Sequence, residues 1–168
     1  SDLIDLSRIE YGDLKLNIVP IDLDSFIEPF ILSMESLTKK KGINLTYKPA
    51  HKTKIKADVQ ALERILTNLI DNAFKYSPEE SFIEISTKQD DNNVRVMISD
   101  NGIGISDADK GHIFDRFYRA ASARASHNKG SGLGLAIVKN LVNSLNGEVG
   151  VSSGSPEGST FWFTLPAG

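Results

Sequence analysis

An α+β fold is what this sequence predicts: a two-layer α/β sandwich in which a mixed, mostly antiparallel sheet is covered on one face by three helices. Three observations carry the prediction. Long apolar runs at helical spacing occur three times, each closed by glycine or proline. Short period-two runs lie between and after them, and two of these are close enough to form a hairpin. Their order is mixed, not a regular alternation of strand and helix, which argues against a doubly wound parallel sheet. A chain of 168 residues suits one such domain with a short appendage.

The elements follow in chain order. Leu3, Leu6 and Ile9 stand at helical spacing and the pattern stops at Gly12, as in the last turns of a helix with a glycine terminator. So short a helix is marginal alone. Its apolar face predicts a partner outside the chain, the alternative being packing on its own domain. Residues 14–18 (LKLNI) alternate and read as a strand. Asp22 or Asp24 can cap a helix to about Lys41, ended by Gly42. Residues 43–47 and 53–57 read as short strands. Asp58 caps a second long helix to about Tyr76, with Pro78 just beyond it. Residues 83–87 and 94–98 form a hairpin across the polar loop 89–93. A glycine-rich stretch leads into a long polar segment, 106–130, with a helix-like piece around residues 112–117; such segments are usually functional lids or disordered. A third helix runs from Leu133 to Asn146 and stops at Gly147, and residues 149–152 and 160–165 close the sheet.

Composition narrows the function. With 40% apolar and 24% charged residues the chain resembles ordinary soluble domains. Its formal net charge of −3 gives no electrostatic reason to expect nucleic acid or an anionic membrane as partner, though a local basic site for a polyphosphate stays possible. Cysteine is absent, so disulfides and thiolate metal sites are excluded, a composition compatible with the cytoplasm. No apolar run approaches a membrane span. A start without Met and in mid-pattern predicts a piece of a longer protein.

Three motifs carry chemistry. On the helix 58–76, Leu62, Ile65, Leu66, Leu69, Ile70 and Ala73 form an apolar stripe, and Asn68, Asn72, Lys75 and Tyr76 border it, while Glu63, Thr67 and Asp71 face away. An amide oxygen at such an edge can bind Mg²⁺, and a lysine one turn on can meet phosphate as a point charge. Alone, the same residues suit two exposed asparagines and a snorkelling lysine. The second motif, residues 100–105 (DNGIGI), follows a strand directly. Asn-Gly suits a hairpin turn, but Gly104 follows and the next segment reads as lid. Glycines let backbone approach a flat ligand, and a carboxylate at a strand end can accept from an exocyclic amine such as adenine's, selecting it over guanine's carbonyl. The third, residues 130–135 (GSGLGL), opens the last helix, where amides at a helix start make an anion site, or a flexible hinge. It is neither a P-loop nor a dinucleotide fingerprint.

Together, and in this order, the motifs resemble the catalytic domain of sensor histidine kinases, in the superfamily that includes gyrase-type and chaperone ATPases. Residues 63–76 (ERILTNLIDNAFKY) resemble the N box, 100–105 the first glycine box, 113–119 (IFDRFYR) the F box, 130–135 the second glycine box and 158–160 (GST) the last. The resemblance covers nearly all of residues 13–166 and implies a Bergerat-type ATP-binding fold. It implies ATP and Mg²⁺ as cofactors: Asn72 as the metal ligand with Asn68 nearby, Lys75 on phosphate, Tyr76 beside the nucleotide, and Asp100 on the adenine amine within the turn of Gly102, Gly104 and Ile105. Amides of Gly130, Ser131, Gly132, Leu133, Gly134 and Leu135 would contact phosphates, and Thr160 would lie behind the adenine. Phe114 and Phe117 would anchor the lid, unless they simply pack it, and Arg116 or Arg119 would reach phosphate.

The first twelve residues resemble the end of the second helix of a kinase dimerisation hairpin with its linker, leaving 13–168 as the ATP-binding domain. The acceptor box, a histidine followed by Glu-Leu-Arg, is missing; His51, His112 and His127 read as surface residues. The implied reaction is transfer of the γ-phosphoryl group to a histidine on a dimerisation domain of the same protein, with a response regulator as indirect partner, no nucleic acid, and a membrane-anchored homodimer as the full-length form. An ATPase, a serine kinase and a non-catalytic binding module are the rival readings on the same fold.

Overall fold

In the computed structural model, residues 2–49, 52–118, 132–153 and 158–168 are described. Five strands form the main sheet: β2 (Asn44–Lys48), β4 (Phe82–Asp90), β5 (Asn93–Asp100), β6 (Val149–Ser153) and β7 (Ser159–Pro166), in the order β2-β4-β5-β7-β6. The β2–β4 pair is parallel and the others are antiparallel, so the sheet is mixed and mostly antiparallel as predicted.

Alternation along β4, β5 and β7 decides which face is covered. Ile85, Ile98 and Phe161 align across the sheet and are buried, as are Thr87, Val96 and Phe163 one row on. Onto that face fold α2 (Leu23–Ser33), α4 (Val59–Tyr76) and α6 (Gly134–Ser144). The intervening residues point to the other face, where Trp162 lies over Gly150 and the Arg95 guanidinium stacks 4.1 Å from its ring.

The long helices form where capping and periodicity place them. Asp58 accepts the Ala61 amide at 2.8 Å and caps α4, whose apolar stripe from Leu62 to Ala73 is buried as predicted. Asp22 caps α2, but the expected single helix to Lys41 is broken at Met34. The Ser33 hydroxyl takes the Phe30 carbonyl at 2.5 Å, and the Met34 amide turns back to Ile31, which closes the turn before α3 (Glu35–Lys41) begins. The last helix is also shorter than predicted. It ends at Ser144, and Asn146, not Gly147, takes the left-handed turn at φ 63°. Gly147 is needed for a different reason: a Cβ there would sit 1.8 Å from the Thr164 carbonyl oxygen.

Three other expectations are corrected. Residues 14–18 are not a strand. β1 (Val19–Asp22) comes later and pairs antiparallel with β3 (Lys54–Ala57) in a separate two-stranded sheet, with Ile21 opposite Ile55. The alternation of Leu14, Leu16 and Ile18 finds no strand partner, and Leu14 and Ile18 stay exposed. The loop expected at 89–93 is a turn of two residues, because β4 and β5 pair out to Asp90 and Asn93. The short helix of the polar segment is α5 (Asp107–Lys110), capped by Ser106, earlier than the piece expected at 112–117.

The N-terminal helix α1 (Asp2–Glu10) packs on this chain. Leu6 is fully buried and Arg64 of α4 holds Asp2 and Asp5 at 2.9 and 3.2 Å. Ile9 is half-buried against the core, and Leu3 and Ile4 are about half exposed. No helix among the described residues is long and apolar enough to cross a membrane.

Candidate functional site

The turn after β5 lies against the last turn of α4, and Asn68 of α4 is tied to the first turn of α6. One row beyond Ile98 and Phe161 the sheet's covered face changes from apolar to polar, since Asp100 stands opposite Ser159 and next to Ile83. Asp100 is 8% exposed. One of its carboxylate oxygens accepts the Gly102 amide at 2.9 Å, and the other accepts the Ser159 hydroxyl at 3.1 Å. Burial lifts its pKa above the usual carboxylate value, against the opposing pull of these hydrogen bonds.

Glycines make this corner possible. A Cβ on Gly102 would lie 2.5 Å from the Tyr76 carbonyl oxygen, so the first glycine motif rests on the last turn of α4. A Cβ on Gly158, at φ +90°, would lie 2.0 Å from the Asp100 carbonyl oxygen, and Gly158 in turn lies under Gly104. Ile105 is half-buried against the core.

Along α4, Asn68, Asn72, Lys75 and Tyr76 are all partly buried and border the core, as their spacing predicts. The Asn68 amide nitrogen donates to the Gly134 carbonyl at 3.2 Å, joining the helix edge to the first turn of α6. Asn72 is one turn further on. Lys75 pairs with Asp71 at 3.5 Å, a residue expected to face away. At the start of α6 the N-cap residue, Leu133, is buried and offers no side-chain oxygen to cap the first turn. Leu135 is half-buried.

The polar segment touches this corner too. The Phe117 amide donates to the Gly132 carbonyl at 2.9 Å, with Phe117 at φ 63° and its ring exposed. Phe114 packs edge-on against Phe161 at 6.1 Å between ring centroids, as a core residue would. Asp109 is buried and accepts from Tyr118 and from the Ser106 hydroxyl, fixing the base of the segment. Arg116 turns away from the corner to Glu10 of α1. His112 pairs with Asp115 at 3.0 Å. Arg119, Gly130, Ser131, His51, His127 and the expected lid from residue 119 onward lie outside the described residues.

Thr160 is not brought to the corner. Successive strand residues face opposite sides, and Thr160 lies on the other face, its hydroxyl 2.9 Å from that of Ser99. Sequence reasoning missed Ser159, the residue that holds Asp100. The signal was available in the alternation of β7: counting back in twos from Leu165 through Phe163 and Phe161 reaches Ser159. What counting could not supply was the register that sets it opposite Asp100.

The arrangement is a buried carboxylate beside backbone too close to tolerate side chains, at the end of the helix whose Asn68 is tied to the first turn of α6. Among the described residues no cluster of three His, Cys, Asp or Glu could hold a metal ion.

Residues 57–168 match the family model described as histidine kinase-, DNA gyrase B- and HSP90-like ATPase. The chain is 34% identical over 167 residues, 99% of its length, to the sensor-like histidine kinase SenX3 of Mycobacterium tuberculosis, and spans 41% of that relative. Among solved structures it is similar to the mycobacterial sensor histidine kinase MprB, with TM-score 0.75 and 28% identity over 90% of this chain and 98% of that one. It is also similar to full-length ShkA in complex with AMPPNP, with TM-score 0.86 and 28% identity over 99% of this chain and 34% of that one. The chain belongs to the histidine kinase-, DNA gyrase B- and HSP90-like ATPase family, as an ATP-binding domain of the sensor histidine kinase type.

Proposed function

We propose that this domain binds Mg-ATP at the corner of Asp100 and serves transfer of the γ-phosphoryl group to a histidine on a helical dimerisation domain of the same protein. The observation that carries the reading is the buried Asp100 carboxylate, held by Gly102 and Ser159 beside the last turn of α4. A carboxylate so fixed accepts from the exocyclic amine of adenine and rejects the carbonyl of guanine. The amides at the start of α6 would face the phosphates, with Lys75 as a cation one turn beyond Asn72 on the same edge of α4. The similar structure of ShkA is a complex with AMPPNP, which supports a nucleotide as the ligand of this domain.

Asn72, with Asn68 one turn before it, would hold magnesium, which suits neutral oxygen ligands shared with phosphates and water. When bound, the ion supplies charge neutralisation on the phosphates. The chain's own groups position the nucleotide, which is most of what phosphoryl transfer asks of a protein. A neutral imidazole is already nucleophilic, so no general base is required from this chain. The Asn68 amide cannot take a proton from water, which makes steady hydrolysis slow and disfavours the ATPase reading. The first twelve residues, as the end of a dimerisation helix, favour histidine over serine as acceptor. The response regulator, the homodimer and the membrane anchor belong to the same proposal for the whole protein.

The chain should bind a fluorescent ATP analogue in a Mg²⁺-dependent manner and form no phosphohistidine alone. Adding a separately made helical domain with its histidine should yield an acid-labile phosphoryl group on that domain. A steady hydrolysis rate near about one per second, within the ordinary range for enzymes and lost in Asn68→Ala, would replace the kinase reading with an ATPase. Acid-stable product would point to a serine kinase.

A further inference from the structure

We propose that the cleft between α1 and the α4–α6 layer is a second ligand site, for a small amphipathic anion: a carboxylate carried on an aryl or short alkyl body. The cleft has a volume of about 260 Å³. It opens between the C-terminal half of α1, residues 13–18, the first turns of α4 and the middle of α6. Its floor is apolar, formed by Ile9, Leu16, Ala61, Ile137 and Leu141.

Its rim is positive where it is free. Arg8 and Lys15 line the mouth, are exposed, and form no ion pair among the described residues. The remaining rim charges are engaged. Arg64 holds Asp2 and Asp5, and both oxygens of Asp58 are taken by the amides of Asn17 and Ala61 at 2.9 and 2.8 Å. An entering anion therefore meets two cations outside any ion pair among the described residues, while Asp5 is paired with Arg64 and the Asp58 oxygens are turned to backbone amides.

Size bounds the body of the ligand. The cleft exceeds the roughly 150 Å³ that admits benzene and falls short of the roughly 300–1,000 Å³ of sites for drug-sized molecules. One ring or a short chain with a carboxylate fits that interval. The site is separate from the nucleotide corner: Ala61 and Asn72 are about 16 Å apart along the α4 axis. A molecule in the cleft touches α1, the following segment, α4 and α6 at once. It binds only while α1 is docked, so it favours the docked state.

Titration of the isotope-labelled chain with 3-phenylpropionate, followed by amide shifts, tests the proposal. Saturable shifts are expected at Ile9, Leu16 and Ile137, unchanged by a saturating ATP analogue, together with slower hydrogen exchange in α1. The neutral 3-phenylpropionamide, and the acid on the double variant R8Q/K15Q, should each bind about tenfold more weakly, the scale of one charge-assisted contact. An unchanged thermal midpoint shows that the variant, altered only at exposed side chains, is folded. The proposal is overturned by any of three results: no saturable shift up to about 10 mM, weaker than sites of this kind reach; shifts at Asp100 or Gly134 that the ATP analogue abolishes; or equal binding of the amide or by the variant.

Discussion

Asp100 carries its carboxylate into a position that is 8% exposed, and desolvation there raises its pKa from the usual 3.8. In the window between 3.8 and the raised value, the folded state holds more protons than the unfolded state. Stability therefore falls as pH rises through that window and the full cost remains above it. Asn at this position keeps an acceptor for the Gly102 amide and can donate to the Ser159 hydroxyl, without the charge. Asp100→Asn should raise the thermal midpoint at pH 7, with the difference closing as pH falls toward 3.8, measured by denaturation across pH. The same change should weaken ATP-analogue binding by about ten- to a hundredfold, since a charge-assisted hydrogen bond is lost. Ser159 and Thr160 separate the two faces of β7. Ser159→Ala removes a donor from a buried carboxylate and should cost about 1–3 kcal/mol along with nucleotide affinity. Thr160→Ala, which touches only the hydroxyl of Ser99, should leave that affinity within about twofold, the scale of a surface change. A result in the opposite order would move the site to the other face. At this scale Asp100 was legible because a carboxylate closing a strand before glycines is a local pattern. Ser159 was not, because its partner is 59 residues away.

Among the elements, α4 was read most completely, and the reason is the agreement of its signals. Asp58 caps it, its apolar stripe keeps one period over five turns, and Pro78 follows its end. Asp58 also accepts the Asn17 amide, so one side chain fixes both the helix start and the segment leading to β1. Asp58→Ala should cost about 1–2 kcal/mol by chemical denaturation, at the upper end for a cap because two amides lose their partner. The segment 14–18 shows the opposite case. Its alternation satisfies the strand pattern, yet β3 pairs with residues 19–22, because that register buries Ile21 against Ile55 and leaves Pro20 on an edge that tolerates it. Gly147 is a further case. Its place after a helix suggests a terminator, but its substitution by Ala should fail through a clash with the Thr164 carbonyl. Gly147→Ala is therefore expected to destabilise by about 1–3 kcal/mol or more, while Asn146→Gly, at the residue that takes the left-handed turn, should be tolerated. Thermal denaturation of the two variants distinguishes the roles.

For the molecule as a whole, the question is how firmly α1 is joined to the rest. Leu6 is its one buried anchor among the described residues, supported by Arg64 and by the Arg116–Glu10 pair. The ion pairs are partly exposed and contribute little each. Leu6→Ala should therefore release α1 locally: its amides should lose exchange protection, while the thermal midpoint of the body moves far less than the roughly 2–5 kcal/mol of a buried Leu→Ala change would imply. Equal loss of protection throughout would show instead that α1 folds as one unit with the sheet. The sequence by itself determined the two-layer class, the three covering helices, the hairpin and the motifs from Asn68 to Leu135, since periodicity, caps and glycines act over a few residues. Only the tertiary structure decided that α1 docks on its own chain, that β1 pairs with β3 apart from the main sheet, that Lys75 leans to Asp71 and Arg116 to Glu10, and that Ser159 holds Asp100. Each of these is a choice between partners far apart in the chain, made by which surface is buried and which register aligns, and neither quantity exists until the elements have packed.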